Sequence, residues 1–62
     1  MDEFRPTHRH KKTGGEYAVI CRAVMEATHE PLVVYVGITG TYWVRPAAEF
    51  DDGRFEEIDV PW

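Results

Sequence analysis

From residue 16 onward the chain alternates short apolar runs with Gly, Pro and acidic breaks, a spacing of roughly ten residues that marks short strands rather than long helices. Residues 16–26, EYAVICRAVME, are the first long strand of this pattern. By period-two alternation Tyr17, Val19, Cys21, Ala23 and Met25 share one side, and Ala18, Ile20, Arg22, Val24 and Glu26 the other. Both sides begin apolar, so burial on both is expected at the start. Ala, Met and Glu also favour helix, but the Tyr-Ala-Val-Ile-Cys cluster and the preceding Gly14-Gly15 turn favour strand. Thr28 to Pro31 reads as a turn, because Pro31 pushes Glu30 away from helical angles. Residues 32–37, LVVYVG, are β-branched and aromatic almost throughout and predict a strand. Ile38-Thr39-Gly40 is a short link in which Gly40 can take a positive φ. In residues 41–45, TYWVR, Tyr42 and Val44 face one way, Trp43 and Arg45 the other, and this strand forms an antiparallel hairpin with the one before it. Pro46 to Phe50 suits a single helical turn. Asp51-Asp52-Gly53 turns the chain, and residues 54–60 predict a short edge strand whose acidic side chains discourage edge-to-edge pairing. Residues 1–13 are polar and aperiodic, an arm that needs docking to become ordered. The expected architecture is all-β: a small SH3-like barrel of about four to five antiparallel strands with one short helical turn. Residues 14–62 form the single domain and residues 1–13 its basic N-terminal arm.

Length limits what such a domain can do. A 62-residue chain buries only ~60% of the surface its unfolded form exposes, and one βαβ unit takes about 30 residues, so a two-domain enzyme and a doubly wound nucleotide-binding fold are excluded. The hydrophobic fraction of 44% is that of a folding chain, not a disordered one. The net charge of −4 is polarised: Arg5, Arg9, Lys11 and Lys12 near the start oppose Glu49, Asp51, Asp52, Glu56, Glu57 and Asp59 near the end. Such a chain can pair head to tail, within one molecule or between two. Its acidic whole argues against duplex nucleic acid, which needs many phosphate-neutralising cations. With Cys21 as the single cysteine, no intramolecular disulfide supports the thin core. The charged start is unlike a signal peptide, and Leu32–Val36, the longest apolar run, is too short for a membrane span. The expectation is a cytoplasmic domain away from membranes that enlarges its core by forming a homo-oligomer.

Two clusters carry candidate chemistry. In an extended segment His8 and His10 point to one side, where with Cys21 or His29 they could ligate zinc. No CxxC or HExxH spacing accompanies them, so the expectation is no metal. The residues then form a basic arm in which Arg9, Lys11 and Lys12 can contact an anion. Trp43 and Arg45 share a strand face, and an indole beside a guanidinium suits a planar, anionic ligand: the ring stacks and the fork takes a phosphate or carboxylate. The plainer alternatives are Trp43 in the core and Arg45 paired with Glu49 four residues on. Tyr35 is on the neighbouring strand. Trp62 is expected to dock on this molecule or a neighbour, because an exposed terminal indole is costly. No Ser-His-Asp order, P-loop or Gly-x-Gly-x-x-Gly is present, so neither enzymatic activity nor a cofactor is expected.

Several pieces resemble the bacterial and phage family catalogued as domain of unknown function 1653. These are Arg9-His10, Lys12 with Gly14-Gly15, Tyr17-Ala18-Val19, Glu30-Pro31-Leu32-Val33-Val34-Tyr35, Trp43-Val44-Arg45-Pro46 and Phe50. The stretch between the Glu30–Tyr35 and Trp43–Pro46 blocks is shorter than the family's, and the tail after Phe50 is short and acidic. The resemblance implies a small β-rich domain and no particular activity. The resulting expectation is a non-enzymatic binding module for a small anionic, nucleotide-like ligand at an oligomer interface. In it Trp43 stacks, Arg45 takes charge, Tyr35 stands alongside, and Arg9 or His10 closes over from the arm. By analogy with the family's phage members, its use would be sequestering a host nucleotide signal. The alternatives are a protein-interaction adaptor built on Tyr42, Trp43 and Trp62, and single-stranded nucleic-acid binding.

Overall fold

The computed structural model describes residues 4–58; residues 1–3 and 59–62, and with them the expected docking of Trp62, lie outside the described residues. Five strands, β1 (His8–His10), β2 (Glu16–Val24), β3 (Pro31–Gly37), β4 (Tyr42–Pro46) and β5 (Phe55–Glu57), and one helical turn, α1 (Ala47–Phe50), follow in chain order β1-β2-β3-β4-α1-β5. They make one sheet, ordered β4-β3-β2-β1-β5, with every pairing antiparallel. The protein is thus all-β, as its pattern predicts, with β5 as an acidic edge. Among the described residues no helix is long and apolar enough to cross a membrane.

The segment read as an arm is docked. Strand β1 lies between β2 and β5, and the Thr7 N–H donates to the Tyr17 carbonyl at 2.8 Å while the Ile58 N–H donates to the Thr7 carbonyl at 3.0 Å. Its apolar period is hidden because histidine rings take the inward positions. His8 sets its ring edge-on to Phe50 at 5.0 Å between centroids, and His10 does the same to Phe55 at 4.9 Å.

Strand β2 changes face part-way. Val19 pairs with Tyr35, but Cys21 pairs with the next residue, Val34, leaving Ile20 as a bulge. Opposite residues in an antiparallel ladder share a face, so Tyr17 and Val19 stand with Gly37 and Tyr35. Past the bulge it is Arg22 and Val24, opposite Val33 and Pro31, that take this side. Cys21 and Ala23, expected beside Tyr17, therefore turn to the outer face, and the thiol is exposed rather than core.

The sheet is strongly curled. In a flat sheet β5 would stand three strand spacings from β3, ~14 Å at ~4.8 Å per step. Yet the Phe55 ring lies 5.6 Å from Tyr35. The buried core is Val33, Tyr35, Phe50 and Phe55, with Tyr17, Val19 and Ala47 against it. Pro46 precedes α1 with φ −54°, and the turn delivers Phe50 to 2% exposure, stacked 4.4 Å from Phe55. Arg22 clamps Asp51 at the end of α1 through two bonds of 3.0 and 3.1 Å. The expected barrel does not close: β4 and β5 are the two edges, and no backbone pairing joins them among the described residues. A side chain spans the seam instead, with the Arg45 guanidinium 5.6 Å above the Phe55 ring.

Candidate ligand-binding recess

The seam between the two edges holds a recess of about 170 Å³, lined by His10, Tyr17, Tyr35, Trp43, Arg45 and Phe55. Register explains the gathering. Trp43 lies opposite Tyr35 and Arg45 opposite Val33, so β4 turns both onto the core-bearing face. Tyr17 lies opposite Gly37, and His10 opposite Phe55. A Cβ at position 37 would sit 3.3 Å from Tyr17 Cε1 and 4.0 Å from Trp43 Nε1, so the glycine lets the tyrosine lie close.

Of the five residues expected at a site, Trp43, Arg45, His10 and Tyr35 meet here. Arg9 does not. It is next to His10 in an extended strand and therefore points to the other side, where Nη1 donates to Glu56 at 3.1 Å and Nη2 approaches Glu16 at 3.5 Å. Two aromatic walls, Tyr17 and Phe55, were not among the expected site residues. Tyr17 packs against the core, edge-on to Tyr35 at 5.4 Å, while also facing the recess. Phe55 carries no signal until the curl of the sheet brings β5 over β3.

Trp43 is half-exposed at 51%, so it is a wall of the recess and not an entombed core residue. Arg45 makes the ion pair with Glu49 that its i,i+4 spacing suggests, and keeps part of its surface open. Its Nε donates to the Tyr35 hydroxyl at 3.3 Å and its Nη1 lies 3.6 Å from Glu49 Oε1, while 28% of the side chain stays exposed. The cation is thus fixed in direction but still accessible. Tyr42 and Trp43, which an adaptor patch would join, face opposite ways along β4.

A second recess, about 420 Å³, adjoins the first across His10 and Arg45 and is otherwise lined by Lys11, Lys12 and Arg54. Arg54 is anchored by Asp52, its Nη2 donating at 2.8 Å and its Nε at 3.1 Å. This hydrogen bonding holds the Asp52 carboxyl below the usual carboxylate range and pushes the Arg54 guanidinium up. Among the described residues no three His, Cys, Asp or Glu side chains gather as metal ligands. His8 and His10 share one side of β1, but Cys21 faces the other side of the sheet.

A family model described as Protein of unknown function (DUF1653) matches residues 6–60. No curated protein and no solved structure matches the chain.

Proposed function

The chain belongs to the DUF1653 family, and on the strength of its seam we propose that it is a non-enzymatic binding module for a small, planar, anionic ligand of nucleotide type. The observation that carries this reading is the pairing of a half-exposed Trp43 with an accessible, directed Arg45 in one aromatic recess. The indole offers a stacking face, and the guanidinium offers donors for a phosphate or carboxylate. Aromatic walls alone would equally suit a quaternary ammonium group, but a resident guanidinium opposes a second cation, so the sign of the ligand follows from Arg45. His10 adds a ring nitrogen at the rim.

A second copy of the chain is part of the proposal. The outer face of β2, β3 and β4 carries the apolar Ala18, Val34, Val36, Tyr42 and Val44, with the charge of Glu16 at the start of β2, and Tyr42 and Val44 are 67% and 54% exposed. The adjoining edge of β4 has no strand beside it among the described residues. Pairing two β4 edges would continue the sheet and place a wall beside Trp43, supplying concavity that a 62-residue chain lacks.

The test is thermal denaturation with nucleoside mono-, di- and triphosphates and with a dT oligonucleotide. A bound nucleotide at about 100 times its Kd stabilises by ~2.7 kcal/mol, a melting shift of about 10 °C or more in a domain of this size. Absence of a shift with every nucleotide overturns the reading. A shift with the oligonucleotide alone, fading steeply with salt, replaces it with single-strand binding.

A further inference from the structure

We infer that the basic recess beside the aromatic one is a seat for a pyrophosphate-type group, so that the ligand class of the joined site is a nucleoside diphosphate or triphosphate rather than a monophosphate. Every side chain that lines this recess is basic: His10, Lys11, Lys12, Arg45 and Arg54. Among the described residues, two carboxylates pair with its arginines. Glu49 faces Arg45, and Asp52 holds Arg54 through three contacts of 2.8 to 3.1 Å. Lys11 and Lys12 form no ion pair among the described residues, so their charge is uncompensated on a chain whose overall charge is −4.

The lysines are also placed by the backbone. They sit at the tip of the β1–β2 hairpin, closed by His10 N–H to the Gly15 carbonyl and Gly14 N–H to the His10 carbonyl, both 2.8 Å. Gly14 takes φ +77° there, a conformation that side-chain-bearing residues rarely adopt. The Lys11 N–H donates to the Arg54 carbonyl at 3.0 Å, tying the tip to the turn that enters β5. Two anchored arginines and two lysines on a fixed turn can neutralise more than one phosphate, which a lone guanidinium cannot.

Size points the same way. Ligand pockets usually measure ~300–1,000 Å³. The aromatic recess, about 170 Å³, is smaller than that, whereas the basic recess, about 420 Å³, lies within the range, and the two share His10 and Arg45 as a common wall. A ring in the first and a chain of phosphates in the second would make a single ligand bridging Arg45.

The ring half of this inference rests on the proposed function, and the anion half does not, so calorimetry of the full chain separates them. Inorganic phosphate, inorganic pyrophosphate, AMP and ADP are titrated into the unaltered protein and into the K11A/K12A, R9A and W43A variants. Pyrophosphate is expected to bind more tightly than phosphate, and ADP more tightly than AMP. K11A/K12A is expected to weaken pyrophosphate and ADP by roughly tenfold or more. R9A removes a cation from the opposite face and should leave both unchanged. W43A should weaken ADP and leave pyrophosphate unchanged. Pyrophosphate binding that is absent, or equal in the unaltered protein and K11A/K12A, overturns the seat. So does an equal loss in R9A, which would assign the binding to net charge alone. Pyrophosphate bound and lost in K11A/K12A, with no effect of W43A on ADP, keeps the seat and overturns the stacking role.

Discussion

The two faces of the sheet are both apolar but differently used. The core-bearing face gathers its rings into contact: Tyr35, Phe50 and Phe55 lie 4.4 to 5.6 Å apart, and the histidines of β1 close around them. On the outer face of β2, β3 and β4 Leu32 is buried, but Tyr42 and Val44 are more than half exposed. An equal count of apolar side chains on each face would therefore hide a large inequality in stability. Aromatic rings reach across the curl and bury one another, whereas valines on the outer side have nothing above them.

The sharpest way to break this comparison is to remove a ring. Phe50 is at 2% exposure and stacked on Phe55, so Phe50→Ala should cost about 3–5 kcal/mol. A domain of this size holds only ~0.05–0.15 kcal/mol per residue. The variant is expected to be largely unfolded at 25 °C by circular dichroism. The matching change on the other face, Val44→Ala, should shift stability by roughly 0.5 kcal/mol in a dilute, monomeric sample. Comparable losses from the two would show that both faces are equally buried in solution.

The second test asks whether a second copy pairs along β4. Val44→Glu puts a charge at the middle of the proposed β4–β4 contact, where the carboxylates of the two copies would meet across the paired strands, and like charges there are destabilising. Sedimentation velocity should then report a monomer for the variant and a dimer for the unaltered chain, with little change in the monomer's own denaturation curve. A monomer in both at high protein concentration would remove the second copy from the proposal.

A smaller contrast is between two arginines on opposite sides. Arg45→Ala should weaken AMP binding by about tenfold or more while leaving the chain folded, because its charge-assisted contacts are directed at the recess. Arg9→Ala should leave AMP binding unchanged, because its partners are Glu16 and Glu56 on the other face. Unfolding of the Arg45 variant would instead make the guanidinium a clasp of the seam over Phe55.

This pair also shows what was legible beforehand. Strand β3 is readable because its centre, Val33 to Val36, is wholly β-branched or aromatic, and the meeting of Tyr35, Trp43 and Arg45 follows from period two across a short hairpin. Adjacent residues of a strand cannot share a side, so Arg9 and His10 could both serve the recess only from an arm outside the sheet. That segment hid its strand because His8 and His10, polar by composition, set their rings against the core rings Phe50 and Phe55. The bulge at Ile20 was equally hidden: no glycine marks it, and one extra residue exchanged the sides of Cys21 and Arg22. The curl that carries Phe55 over Tyr35 is a property of the whole sheet, and no local pattern states it.

The smallest expected effect concerns acid. Hydrogen bonding from Arg22 holds the Asp51 carboxyl below its ordinary value, as Arg54 does for Asp52. A carboxyl whose folded value is lowered contributes stability that is fully present above the unfolded-state value, ~3.9. That contribution is lost as pH falls through the folded value, because the unfolded chain then binds the proton first. Stability should therefore decline on acidification below about pH 4. Asp51→Asn should flatten that decline in urea titrations run at successive pH values, and Asp52→Asn should flatten it likewise. Both pairs are solvent-exposed, so screening keeps each effect small, and raising the salt should shrink it further. The two differ in reach. Arg22–Asp51 joins β2 to the end of α1, whereas Asp52–Arg54 is confined to one turn, so the first should also soften the seating of Phe50. An acid limb unchanged in Asp51→Asn would show that the clamp is incidental and that α1 is held by Phe50 alone.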